Sequence, residues 1–319
     1  MNREKPERLS RDSIEARSGA NHRECAQRTG AVVARIERSV EKTFRNLERY
    51  PFLEPDDRRQ FLRYRLMFLE SLRQIDRKIA EGLLTPLDLR GFPERNPFPS
   101  GTVRAGLFIG SFDPFQMTHL ATALRFLASP ECGADILFVV PEGAENPQKP
   151  NLSEYGYRME LIRRQLRRTF TPLIVPLDIG AGRNTVGIIE EFIGRFPGSR
   201  MSVTHLLGSD VLVWAHTLFR EDLTIWNRAA CRAGVEFSYR LFVIKRCPEE
   251  MFLGIVSRLR NEGIPVSVEL EPLGTPSSTD FRDRHALTII FPTDEIMKHM
   301  EFAFRYRMQR DWPGWPASE

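Results

Sequence analysis

From residue 101 the chain alternates two kinds of pattern, and that alternation leaves few folds open. Short apolar runs rich in β-branched residues, "VRAGLFIG", "DILFVVPEG", "TPLIVPLDI", "MSVTHLLGSD" and "RLFVIKR", are separated for the most part by helix-patterned stretches. Those stretches are "LATALRFLA", "YRMELIRRQLRR" and "VGIIEEFIGRF". A short apolar run without polar alternation reads as a strand buried on both faces. Strands alternating with helices build βαβ units, which assemble a mainly parallel sheet covered on both sides. The expected fold is therefore α/β, a Rossmann-like doubly wound parallel sheet, over residues 101–310.

The hundred residues before it read differently. Residues 1–30 are polar and without periodicity, the composition of a disordered segment. Val32, Val33, Ile36, Val40, Phe44 and Leu47 then recur mostly at three- and four-residue steps, one face of a helix. "YPFLEPDD" breaks that helix. A second carries Phe61, Tyr64, Phe68, Leu72, Ile75 and Ile79 on one side. Prolines 93, 97 and 99 make "RGFPERNPFPSG" a connector, since proline cannot continue a helix. Residues 31–100 are thus expected to form an N-terminal α-helical hairpin extension with a proline-rich linker. At the other end "PTDEIMKHMEFAFRYRMQR" reads as a closing helix capped by Thr293, and residues 311–319 as a loose tail.

Several functional classes drop out on composition. Lys and Arg number 46 against 42 Asp and Glu, a net charge of +4 that is too mild for a nucleic-acid interface. The arginine-rich run Arg163–Phe170 reads as a solvated helix face. Four cysteines stand far apart with no CxxC pair, which fits free thiols, no metal site and a cytoplasmic setting. No apolar run reaches membrane-spanning length, and the opening residues lack the apolar core of a secretory signal.

Two stretches carry chemistry. In "GLFIGSFDPFQMTHL", Gly106–Leu120, a strand runs into Gly110-Ser111, then Asp113-Pro114, and delivers His119 to the start of a helix. Ligands of open parallel sheets bind at carboxyl ends of strands, beside helix N-termini. Gly110 and Ser111 let backbone N–H groups approach a phosphate, and the helix adds the positive end of its dipole. The stretch is neither a Walker A loop nor GxGxxG. On layout alone, a β-turn followed by a surface histidine accounts for it slightly better. The second stretch, "GTPSSTDFRDR", shifts that balance. Ser277, Ser278 and Thr279 offer hydroxyls and an N-cap, with Arg282 one helical turn beyond, which together suit an anion.

Together these resemble the nucleotidylyltransferase superfamily, most closely the nicotinate/nicotinamide mononucleotide adenylyltransferases. The family's first motif, roughly G-x-F-[DN]-P-x-[HT]-x-x-H, stands here as "GSFDPFQMTH", and its S-S-T-x-x-R as "SSTDFR". The terminal arginine suggests this branch over the pantetheine-phosphate and choline-phosphate branches. Between them "NPQKPN" resembles a P-H-K phosphate loop, "YGYRMELI" the R-[ML]-x-[ML] helix, "LLGSD" a G-x-D motif and "FVIKR" a V-x-x-R strand end. The likeness covers about residues 103–310 and does not reach the N-terminal hundred. It departs at Gln116 (usually His or Thr), at Thr118 (often Gly) and at Gln148 in place of the P-H-K histidine.

The resemblance implies an enzyme that transfers an adenylyl group from ATP to a mononucleotide, with Mg²⁺ arriving on the ATP. His119 and Arg282 would be catalytic, His119 on the α-phosphate. Ser277, Thr279 and Arg282 would hold the β- and γ-phosphates while Ser278 caps the helix. Gly110, Ser111, Phe112 and Gln116 would line the loop, with Lys149 a phosphate contact, Gly208 at the nucleotide, and Asp210 at the ATP ribose or in structural support. Asp113 would cap the turn, or, as the less favoured reading, contact the metal through water. Trp214 or Trp226 would serve the pyridine ring, or simply the core. His205, His216, His22, His285 and His299 keep structural or surface readings. The alternatives are nucleotidyl transfer to another phosphorylated acceptor, or a non-catalytic nucleotide-binding protein. The helical hairpin would cap the site, pair two copies into a homo-oligomer, or bind a partner.

Overall fold

A computed structural model describes residues 30–46, 55–92, 96–98, 101–145, 149, 152–271 and 291. Its centre is a six-stranded sheet in the order β3-β2-β1-β4-β5-β6. The strands are β1 (Thr102–Gly110), β2 (Ile136–Pro141), β3 (Ile174–Pro176), β4 (Arg200–Gly208), β5 (Glu236–Ile244) and β6 (Val266–Glu269). Every pairing is parallel. The order reverses between β1 and β4, so the fold is doubly wound and the switch point lies at the carboxyl ends of those two strands.

Successive strand residues feed opposite cores, as runs without polar alternation require. Phe108, Leu137, Val139, Phe242 and Ile244 face one side with α3 (Met117–Ala128) and α4 (Tyr155–Leu166). Leu107, Phe138, Val140, Leu241 and Val243 face the other, with α5 (Thr185–Gly194), α7 (Phe219–Ala233) and α8 (Glu249–Asn261). The short α6 (Ser209–Ala215) follows β4 directly. Gly106 lets α3 lie close on β1: a Cβ there would stand 2.5 Å from the Phe126 ring.

The N-terminal helices are α1 (residues 30–46) and α2 (Pro55–Ala80). Their expected stripes are the buried ones: Val33, Ile36, Val40 and Phe44 of α1, and Phe61 through Ile79 of α2, join the α3 side of the core in one cluster. Phe291 enters the same cluster, its ring 6.0 Å from Phe44, 5.9 Å from Phe68 and 5.3 Å from Phe170. The sheet face under α3 is therefore covered twice over. The expectations for residues 1–29, for Leu47, for the closing helix from Thr293 and for the tail lie outside the described residues.

Candidate functional site

The loop after β1 turns on Phe112, which takes φ 44°, the left-handed region that a bulky side chain rarely occupies. Its ring covers Gly110, where a Cβ would come within 3.4 Å of it. The Asp113–Pro114 peptide is cis. Gln116 then caps α3 in extended conformation, and its backbone N–H donates to His119 Nδ1 at 3.1 Å. This is one limb of a capping box, with histidine in place of the usual Glu or Gln. Because Nδ1 accepts, the ring proton sits on Nε2.

His119 is only 8% exposed and lies among three phenylalanines. Ring centroids of Phe112, Phe115 and Phe108 are 5.1, 5.5 and 6.0 Å away. Burial, with the positive charges of Arg246 and then Lys149, lowers the imidazole to about 3. His119 is thus a neutral donor at physiological pH and not a surface group. Gln116, expected among the phosphate contacts, is buried beside it at the helix cap.

Groups outside the loop hold it in place. Arg158, buried on α4, donates to the Ser111 carbonyl at 2.5 Å and to the Ser153 carbonyl at 2.8 Å. Asp113 accepts the Ser153 N–H at 3.1 Å, so it ties the loop to the segment before α4. Gln165, fully buried, donates to the Phe115 carbonyl at 2.9 Å and accepts the Phe291 N–H at 3.1 Å. Lys149 Nζ donates to Ser111 Oγ at 2.9 Å, which brings the expected phosphate contact to the loop.

The opposite wall comes from β4 and β5. Ser209 Oγ accepts the N–H groups of Arg246 (2.8 Å) and Cys247 (3.0 Å), lacing the end of β5 to the start of α6. Asp210 Oδ2 stands 3.6 Å from Arg246 Nε. A Cβ on Gly208 would fall 2.2 Å from Asp210 Oδ1 and 2.6 Å from Arg246 Cδ, so a side chain there would displace both groups. Parallel pairing of β1 with β4 sets Gly208 beside Gly110 across the switch point, since Phe108 is opposite Leu206. Gly110, Ser111, Phe112, Gln116, His119, Lys149, Gly208 and Asp210 therefore share one end of the sheet. Ser277, Ser278, Thr279, Arg282 and Gln148 lie outside the described residues.

Sequence reasoning missed Arg158, Gln165 and Ser209 as site supports. Arg158 and Ser209 fall inside the quoted stretches "YGYRMELI" and "LLGSD". Of the tryptophans, Trp226 is core, its Nε1–H donating to the Val186 carbonyl at 3.2 Å. Trp214, on α6 just after Asp210, is 60% exposed. His205 is core as expected, and His216 Nδ1–H donates to the Val213 carbonyl of its own helix at 2.7 Å. Among the described residues, no group of three or more His, Cys, Asp or Glu is placed to hold a metal ion, and no helix is long and apolar enough to cross a membrane.

A neutral N–H donor, two cations and a helix N-terminus stand together at the carboxyl ends of the strands, a combination whose chemistry suits an anion. No protein-family model matches the chain. No curated protein matches it either. Among solved structures 31 chains do. Nicotinic acid mononucleotide adenylyltransferase of Plasmodium falciparum, complexed with NaAD, is 17% identical at a TM-score of 0.38, covering 63% of this chain and 98% of that one. The same protein complexed with APC gives 16% and 0.39 over the same shares. A bifunctional NMN adenylyltransferase/ADP ribose pyrophosphatase from Francisella tularensis gives 10% and 0.35, over 66% of this chain and 54% of that one. These likenesses are weak. The fold stands on its own strand order, and the chemistry has to be argued from the residues of the site.

Proposed function

We propose that this chain is a nucleotidylyltransferase, moving the adenylyl group of ATP onto nicotinate or nicotinamide mononucleotide and releasing pyrophosphate. What supports the reading is one convergence. The motif loop, the G-x-D turn and the V-x-x-R strand end, separate in sequence, meet at the switch point around a buried neutral histidine. The acceptor phosphate oxygen attacks the α-phosphorus in line. The bond to the bridging oxygen of the β-phosphate breaks, and pyrophosphate leaves with that electron pair. No protein nucleophile is needed, so the work is positioning and charge stabilisation.

His119 Nε2–H donates to an α-phosphate oxygen. Its neutrality suits this role, because it arrives with its proton already in place. Lys149 and Arg246 supply the positive charge that Gln116 and Gln148 do not. Gly110, Ser111 and Phe112 line the mononucleotide side, Asp210 takes the ribose, and Trp214 offers an exposed ring to the base. Ser277, Thr279 and Arg282, which carry the second motif, are assigned to the outer phosphates. Mg²⁺ would arrive with ATP, held mainly by phosphate oxygens and water, and would supply charge neutralisation for the departing pyrophosphate. The nearby carboxylates fit that arrangement, Asp113 bonding the Ser153 N–H and Asp210 lying against Arg246.

Burial of Gln116 at the helix cap favours, as a second reading, the same transfer to a different phosphorylated acceptor. Both are tested by pyrophosphate release from purified protein with Mg²⁺, pairing ATP or CTP with each mononucleotide, and His119→Ala as control. Release with one pair, lost in the variant, supports the first reading. Nucleotide binding without release from any pair sinks the mononucleotide assignment and leaves another acceptor or a binding-only protein.

A further inference from the structure

The N-terminal helices lie outside the motif likeness, yet α2 grips α3 at both ends. Tyr64 Oη and Thr118 Oγ1 are 2.7 Å apart, both buried, at the first turn of α3. About four turns further along α2, Lys78 Nζ donates to the carbonyls of Leu127 (2.8 Å) and Ser129 (2.6 Å), where α3 ends. The two helices therefore run side by side in the same direction. Thr118 is also one of the positions at which the chain departs from the motif it resembles, where glycine is usual. A glycine has no hydroxyl to give Tyr64.

The residue after Thr118 is His119. Among the described residues, its imidazole has the Gln116 N–H on Nδ1 as a directional contact and three phenyl rings around it. Apolar packing is non-directional, so it does not by itself aim an N–H. The turn that carries the imidazole needs a second fixed point, and the buried hydroxyl pair is there to provide it.

We propose that α2 is a positioning element of the site. Tyr64, through Thr118, fixes the first turn of α3 and with it the placement of the His119 Nε2–H. Tyr64 and Thr118 touch no reacting atom in this account. Only the kinetic half of its test rests on the nucleotidyl-transfer reading.

The test uses the full chain with ¹⁵N-labelled histidine and the variants Tyr64→Phe, Thr118→Val, the pair together, and Thr118→Ser, which keeps the hydroxyl. The His119 ring resonances are expected to move in Tyr64→Phe and Thr118→Val, but not in Thr118→Ser, while those of His205 stay in place. The kcat for pyrophosphate release is expected to fall about tenfold in each single variant, with KM for ATP little changed and the double variant no worse than either single. An unmoved His119 resonance in folded Tyr64→Phe overturns the proposal, as does a Thr118→Ser variant that behaves like Thr118→Val. If Thr118→Val does not fold, Tyr64→Phe against wild type decides. If the wild-type chain releases no pyrophosphate, the enzyme reading fails by itself, and the resonances still decide the role of α2.

Discussion

His119 and His205 are both buried and both held neutral, one in the first turn of α3 and the other within β4. His205, in the middle of β4, sits between Leu107 and Leu241 of the neighbouring strands, and its Nδ1 meets Tyr239 Oη at 2.8 Å. Burial alone lowers it to about 4. His119 stands beyond the end of β1, its Nδ1 held by its own backbone and its value lowered by burial and then by Arg246 and Lys149. Burial and a depressed pKa therefore do not separate a site from a core. The neighbours do: a phenol in the middle of the sheet, cations and a helix N-terminus at its end.

Replacing each histidine by alanine breaks the comparison hardest. Both variants are expected to lose about 1–3 kcal/mol in urea unfolding, since each leaves a buried polar partner unmet. Only His119→Ala should also lose pyrophosphate release, by about 10²–10³-fold. Equal loss of activity in His205→Ala would erase the distinction.

What anchors the two histidines also differs. Strands on both sides fix His205, whereas His119 rides on a helix whose far end is held by Lys78. That ammonium is buried, its pKa lowered mainly by burial, and it satisfies the Leu127 and Ser129 carbonyls. Lys78→Met strands those carbonyls and is expected to cost about 1–3 kcal/mol by urea denaturation. A neutral effect would mean that α3 does not need α2 at that end.

In acid the two histidines should act alike. A histidine whose folded pKa lies below 6.5 takes up a proton on unfolding, so its contribution is full above pH 6.5 and is lost as pH falls below it. Asp222, raised to about 6 by burial and by Glu221, releases a proton on unfolding and opposes this in part. With Asp222 subtracted, the net uptake is about one proton, which implies a loss of about 1.4 kcal/mol per pH unit between pH 6 and 5. His119→Gln and His205→Gln should each flatten that slope by one proton. A slope that survives either substitution would show that other groups dominate.

The gentlest test reads the cations. Lys149→Gln or Arg246→Gln should raise the His119 pKa, because each removes a positive neighbour, and leave His205 unmoved in an NMR titration. The KM for ATP should rise about two- to fivefold. Equal shifts at both histidines would mean a change of the whole fold and not of a local field.

Much of this was legible because it is local. Each strand run overlaps an observed strand, and both N-terminal stripes lie in the core. Helix α8 is harder to read: Phe252, Val256 and Leu259 keep helical spacing, but exposed Met251 and Leu253 blur the stripe. In α7 the buried face includes two alanines, Ala229 and Ala230, which periodicity weighs little. His119, Gly110 and Ser111 stand out because glycine, histidine and a helix start are neighbours in the chain.

Between them, strand and helix periodicity determined the α/β class and where the motif loop would fall, since periodicity follows from backbone geometry and the burial of apolar side chains. Only the tertiary structure decided that His119 is buried and neutral, because its neutrality comes first from burial and then from Arg246 and Lys149, which are distant in sequence. The same holds for the loop's supports. Gln165 and Phe291 meet across 126 residues, and Tyr64 and Thr118 across 54. Hydrogen bonds between distant residues leave no periodic trace, so no reading along the chain can find them.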